Sequence, residues 1–239
     1  MEEKSPQDEF ISIVSHELRT PLTSIRGFSQ TLLASWDKIG ESDKKKFIGI
    51  IEEQSNRLIH LVENVLSVSN MQKNNAVLRF LNINSIIKRL SPIFINQYKN
   101  KNIILDLQNN IPETMIDEDK FQQILTNLVD NAAKYSDDGK DIKITTKLDN
   151  NTIILSVSDE GVGIKSEDFS KVFQKFSRLE NHLTSKTQGN GLGLYITKQL
   201  VEQMNGKITF ESTQELGTTF YVNFPVYNEE DVIKCSQQS

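Results

Sequence analysis

"FISIVSHELRTPLTSIRGF", Phe10–Phe28, places apolar residues at heptad spacing: Ile11, Leu18 and Ile25 share one register that continues to Leu32, with Val14 and Phe28 four residues before the next member. That pattern is the seam of a helix packed on a helix. Beyond "WDKIGES", Trp36–Ser42, a second segment carries Phe47, Ile51, Leu58, Leu61, Val65 and Val68, so two helices on a short connection form an antiparallel hairpin. Ile50, Val62 and Leu66 widen the second stripe beyond what one partner covers. The expectation is a homodimer in which two hairpins pair as a four-helix bundle; the alternative is a hairpin packed on the rest of its own chain.

The same stretch holds a His-Glu pair just ahead of a proline. With Ile11 and Val14 in the seam, His16 falls on the outer face, exposed to water. Pro21 has no amide hydrogen, so the Glu17 carbonyl loses its helical partner and the helix should bend or loosen within a turn of His16, opening the imidazole to an approaching group. Glu17 can accept the proton on one ring nitrogen and so raise the nucleophilicity of the other.

Composition narrows the function classes. The 239 residues are 37% hydrophobic and 25% charged, the balance of a globular chain with room for one large domain or two modest ones. A net charge of −5 without a dense Lys/Arg block argues against nucleic acid as a partner. Cys235 is the only cysteine, which excludes disulfides within the chain and fits a reducing compartment. No apolar run is long enough to span a bilayer and "MEEKSPQDEF" is no signal peptide, so the expected location is cytoplasmic, with membrane attachment only through an N-terminal region outside this sequence.

After the Asn-rich link "SNMQKNNAVLRF" the heptads give way to alternating strands and shorter helices. The predicted elements are a strand Leu78–Ile83, a helix Ser85–Tyr98 kinked or broken at Pro92, strands Ile103–Leu107 and Thr114–Ile116, and a helix Glu118–Tyr135. Strands Ile142–Lys147 and Thr152–Ser158 follow around "LDNN", then a glycine-containing loop, a helix Leu192–Met204 and two closing strands. The domain reading is a helical hairpin over 1–72, a linker over 73–77, an α+β sandwich over 78–227 and a disordered tail over 228–239.

At "HELRTPLTSI", His16–Ile25, the sequence resembles the H-box of the sensor histidine kinases of two-component signalling, and the likeness continues along nearly the whole chain. The resemblance implies that His16 is phosphorylated by ATP, that Glu17 is its acid-base partner, and that Thr20 orients a water for phosphatase activity. It also implies onward transfer to an aspartate on the receiver domain of a response regulator.

No Gly-x-x-x-x-Gly-Lys loop is present, so a nucleotide needs other parts. In "QQILTNLVDNAAKYSDDG", Asn127, Asn131 and Lys134 share a polar helix face while Phe121, Leu125, Leu128 and Ala132 form an apolar one, with Tyr135 at the end of the polar face. Amide oxygens coordinate Mg²⁺ without adding charge, and a lysine reaches phosphate oxygens. "SVSDEGVGI" sets Asp159 at a strand end, where an acceptor can read an adenine amino group, and Gly161 and Gly163 permit close approach. "GNGLGLYI" places Gly189, Gly191 and Gly193 at a helix start whose free amides suit a triphosphate.

This ordered trio resembles the N, G1 and G2 boxes of the kinase catalytic domain, whose Bergerat fold is shared with the ATPases of gyrase, the heat-shock chaperone and mismatch repair. The resemblance implies Asn131 as Mg²⁺ ligand with Asn127 close to it, Lys134 and Tyr135 on the nucleotide, and Asp159 on the adenine. It adds Leu192 in the second glycine box and Thr218 in "ELGTTF", which is similar to a terminal glycine box, although Glu215 stands where a glycine is frequent. "VFQKFSR" resembles the F-box, with Phe173 and Phe176 as lid anchors, Arg178 as a phosphate contact and Ser177 where an aromatic residue is common; "LENHLTSKTQ" is then a mobile ATP lid. A non-enzymatic scaffold would show losses at Asn131, Asp159 or the glycines, and a conformational ATPase of the chaperone type would not need the "HELRTP" wording.

Overall fold

α1 (Pro6–Ser35) and α2 (Glu41–Asn70) are joined by a 3-10 turn at Trp36–Lys38 and pack against each other. The computed structural model describes residues 6–70, 76–177, 179 and 191–227, and the chain divides into two compact units after Asn70. Arg178, Gly189, the tail 228–239 and all of "LENHLTSKTQ" except Leu179 lie outside the described residues.

Inside the hairpin, Val14, Leu18, Pro21, Ile25, Phe28 and Leu32 are buried or half-buried, and Leu61 of α2 is 2% exposed. The Phe28 and Phe47 rings meet at 5.2 Å between centroids near the turn. α1 is unbroken through Pro21. Ile11, expected in the seam, is 55% exposed. The cause is helical drift: an unsupercoiled helix falls about 20° behind a heptad at each repeat, so a row that faces α2 at Leu32 has turned by about 60° at Ile11. Leu22 and Leu33, each eleven residues further, are exposed on that same side.

The second unit is a sheet covered on one face by helices. β1 (Arg79–Leu81) pairs antiparallel with β3 (Thr114–Ile116) as a separate ribbon. The main sheet has the order β2 (Asn102–Leu107), β4 (Asp141–Asp149), β5 (Thr152–Asp159), β7 (Gly217–Pro225), β6 (Lys207–Thr213), with β2 parallel to β4 and the other pairs antiparallel. α4 (Glu118–Lys134) lies between α3 (Ile83–Gln97) and α5 (Gly193–Gln203) and packs on the central strands. Alternation fixes which face they cover: Ile142, Ile144, Ile153, Leu155, Val222 and Phe224 are fully buried, with the Phe224 ring against Phe121 of α4. On the opposite face hydroxyls pair across strands, as between Ser158 and Thr219 at 2.8 Å.

Two expectations change. The first strand stops at Leu81 because Asn82 caps α3, its side chain accepting the Ser85 amide at 3.3 Å, so Ile83 is helical and not extended. α3 then runs through Pro92 without a break. Pro92 leaves the Lys88 carbonyl without its helical donor, and the Ser91 hydroxyl donates to that carbonyl at 3.1 Å in its place. The 3-10 turn Ser166–Lys171 was not foreseen either.

If Ser91 stands in for the missing amide, Ser91→Ala should destabilise the second unit by about 1 kcal/mol in urea denaturation. The loss should shrink toward zero in a Pro92→Ala background, where the amide is restored; equal losses in both backgrounds would show that the hydroxyl does not serve this purpose.

Candidate functional site

Asp159 ends β5 in the interior, 9% exposed, and one carboxylate oxygen is saturated by the protein itself: Oδ1 accepts the Gly161 amide at 2.8 Å and the Thr218 amide at 3.3 Å. Oδ2 has no partner among the described residues and remains as an acceptor. Burial pushes this carboxyl up to about 6, against the pull of the two amides toward the ionised form. The glycines around it are sterically required. A Cβ at Gly161 would lie 2.1 Å from the Tyr135 carbonyl oxygen, which accepts the Val162 amide at 3.0 Å, and one at Gly217 would lie 2.0 Å from the Asp159 carbonyl oxygen. Gly163 (φ +62°) presses on the Thr213 carbonyl. Glu215 adopts φ +64°, so the turn at this position does take the left-handed conformation that a glycine would enter without strain.

α4 presents its polar face as expected: Asn127 and Asn131 are half-buried and Lys134 is exposed. Asn127 turns its NH₂ group to α5, to the Gly193 carbonyl at 3.4 Å and the Thr197 hydroxyl at 3.3 Å, leaving its amide oxygen without a donor among the described residues. Thr197 itself donates to the Gly193 carbonyl at 2.9 Å. The side chain of Asn131 has no hydrogen-bond partner among the described residues. Tyr135, at the C-terminal cap of α4, is half-buried. Leu192 is fully buried ahead of α5. Gly191 (φ +68°) lies so close to the backbone of Phe176 and Ser177 that no side chain fits, whereas a Cβ at Gly193 would meet nothing within 4 Å. Phe173 packs against Phe210 and Phe220 with ring centroids at 5.8 and 6.3 Å, which seats the "VFQKF" segment on β6 and β7.

In the first unit His16 is exposed, and its ring has no hydrogen-bond partner among the described residues. Thr20, one turn on, is exposed as well, with its hydroxyl 3.4 Å from the His16 carbonyl. Glu17 departs from expectation. Instead of reaching the imidazole, its carboxylate lies 3.3 Å from the Arg57 guanidinium of α2. Successive residues on a helix point about 100° apart, so a histidine facing outward sends its neighbour inward. Arg57 was not identified from the sequence, since it lies forty residues from Glu17 with no local signal, and Thr197 was missed within an ordinary helical pattern.

Two family models cover most of the chain: the His Kinase A (phospho-acceptor) domain over residues 7–74, and the histidine kinase-, DNA gyrase B- and HSP90-like ATPase over 116–228. The signal transduction histidine-protein kinase ArlS of Staphylococcus epidermidis is 34% identical over 224 residues, 93% of this chain, and the sensor histidine kinase WalK of Bacillus subtilis is 32% identical over 243 residues, 96% of it. The chain belongs to the sensor histidine kinase family.

It spans 49% and 39% of the length of those two relatives. Among solved structures the histidine kinase AdeS of Acinetobacter baumannii has a TM-score of 0.67 at 26% identity, covering 89% of this chain and 98% of that one. Histidine kinase ThkA, in complex with response regulator protein TrrA, reaches 0.73 at 25% identity over 92% of this chain and 61% of its own. The second unit thus has the Bergerat-fold sandwich of that family.

The elevated carboxyl of Asp159 has a consequence for stability. An unfolded aspartate ionises near 3.8 and the folded one near 6, so the native state binds the extra proton between those values and stability falls as pH rises through that window, reaching a constant penalty above it. Asp159→Asn removes the penalty. Its stability relative to wild type should therefore climb between pH 4 and 6 by up to about 3 kcal/mol and stay level from pH 7 to 8. A flat difference across denaturation curves at these pH values would contradict this.

Proposed function

We propose that this chain is the catalytic core of an ATP-dependent protein-histidine kinase, with the hairpin of residues 1–72 carrying the phosphoacceptor His16 and residues 78–227 binding the nucleotide. The observation that carries the reading is a buried carboxylate with one unclaimed oxygen, beside a glycine that tolerates no side chain, in a chain that also presents an unpartnered histidine on a helix surface.

Asp159 Oδ2 accepts the adenine amino group, and Tyr135, Gly161 and Gly163 shape that end of the pocket. Lys134 contacts the phosphates and the amides at Gly191, Leu192 and Gly193 bind the triphosphate, roles that the family resemblance also assigns to Arg178 and Gly189, and Thr218 holds Asp159 in place. The open space at Gly193 agrees with a ligand there. The amide oxygens of Asn131 and Asn127 fit a hard divalent cation, since neither has a donor among the described residues; they would hold Mg²⁺. Bound there, Mg²⁺ supplies positive charge against the phosphate oxygens.

The lone pair of one His16 ring nitrogen attacks the γ-phosphorus, the bond to the ADP oxygen breaks, and the proton on the other ring nitrogen passes to Glu17. Phosphohistidine, a phosphoramidate, then gives its phosphoryl group to an aspartate on a response regulator receiver domain. The ThkA complex with its regulator supports such a partner. Phosphatase activity uses Thr20, whose exposed hydroxyl positions a water one turn from His16. A homodimer is supported by the apolar residues left uncovered on the hairpin: Ile11, Leu22 and Leu33 on α1 and Ile48, Ile59, Val62 and Leu66 on α2, all between 44% and 84% exposed. We place the chain in the cytoplasm, with any membrane anchor supplied by sequence outside it; no described helix is long and apolar enough to cross a membrane.

Incubation with radiolabelled ATP should give an acid-labile, base-stable label. His16→Gln should abolish it with nucleotide affinity unchanged, and Asn131→Ala should abolish it while leaving the chain able to take phosphate back from a phosphorylated regulator. Label persisting in His16→Gln would sink the phosphoacceptor assignment, and normal labelling of Asn131→Ala would count against the metal site.

Thr20→Ala separates activities that share a helix turn. It should lose regulator dephosphorylation and keep autophosphorylation and phosphotransfer, because only the first uses a positioned water. A parallel fall in all three rates would mean that Thr20 supports the helix near Pro21 and nothing more.

A further inference from the structure

The carboxylate best placed in sequence to take the proton from His16 is held by a different group. Glu17 and Arg57 form an ion pair at 3.3 Å across the hairpin, with side chains 25% and 24% exposed, while the imidazole has no partner among the described residues. At about 100° per residue, His16 projects away from α2 and Glu17 toward it.

We propose that Arg57 is a positioning residue that restrains the kinase step: it holds Glu17 on the α2 side of α1, and the Glu17–Arg57 pair must open before Glu17 can accept the ring proton of His16. This rests on the reading of His16 as phosphoacceptor and Glu17 as its proton acceptor. The step balances as it stands. The carboxylate leaves the guanidinium, accepts the proton from one ring nitrogen as the other bonds to phosphorus, and ADP departs with the electrons of the broken P–O bond. Because the pair is partly solvated, the restraint is modest. A pair of this exposure favours the closed arrangement by at most about five-fold. Regulation follows from position: Arg57 is on the second helix, so any sliding or rotation of α2 against α1 alters the availability of Glu17 without touching the nucleotide.

Arg57→Met keeps much of the apolar stem and removes the charge. In the full chain, the rate of acid-labile labelling at saturating ATP should rise about three- to five-fold with KM for ATP unchanged. NMR cross-relaxation between the His16 ring protons and the Glu17 side chain should strengthen in the same variant, because the released carboxylate is free to turn toward the ring. Arg57→Lys, which preserves the charge, should leave both quantities at wild-type values, and Arg57→Met with Glu17→Gln should show no gain in labelling. A labelling rate at or below wild type in a variant with unchanged helical content, or cross-relaxation that Arg57→Met does not change, overturns the proposal. If the methionine variant loses helical content, Arg57→Gln is read by the same two measurements. An acid-stable label on the wild-type chain would instead remove the phosphoacceptor reading, and the cross-relaxation would still decide whether Arg57 holds Glu17.

Discussion

One carboxylate oxygen organises the second unit. Asp159 Oδ1 gathers the amides of Gly161 and Thr218, and with them the end of β5, the loop that follows it and the start of β7. An acceptor so deep in the protein is costly without donors, which is why the backbone bends around it at two glycines that admit no side chain. Val162 then donates to the Tyr135 carbonyl, joining the loop to the C-terminal end of α4. The polar face of α4 is thereby set relative to Asp159, and Asn127 passes the constraint on to α5 through Gly193 and Thr197. The side-chain atoms that this network leaves unclaimed are the ones assigned to the ligand: the second oxygen of Asp159 and the amide oxygens of Asn127 and Asn131.

The hairpin follows another logic. It has few internal polar constraints, and its seam is apolar from Val14 to Leu32. The ion pair between Glu17 and Arg57 is an exception that joins the two helices, and it adjoins the exposed histidine. In the second unit polarity fixes geometry, whereas in the hairpin it joins the helices through a partly solvated ion pair beside the seam.

Most element positions could be read in the sequence because period and capping are local. The alternation in β4 and in β5 and the apolar face from Phe121 to Ala132 are each set within a few residues. Asp159, Asn131 and the glycines each sit in a short local motif, and the order of those motifs along the chain is what resembles the family. What could not be read depends on chain segments far apart. Arg57 lies forty positions from Glu17, and Thr218 lies fifty-nine from Asp159, so neither pairing leaves a mark on local pattern. Pro92 shows a subtler failure: a helix breaker was judged by its own chemistry, while the residue before it supplied the missing donor. Ile11 lies outside the seam because the helix drifts from an ideal heptad.

That drift has a mechanical consequence. On α1 the row facing α2 repeats every seven residues, whereas the uncovered row of Ile11, Leu22 and Leu33 repeats every eleven, and the two periods wind in opposite senses about the helix axis. Measured from the direction of α2, the uncovered row stands about 60° away at Ile11 and about 100° away at Leu33. A rigid body laid along the uncovered row therefore cannot stay in register with α2 over the whole rod.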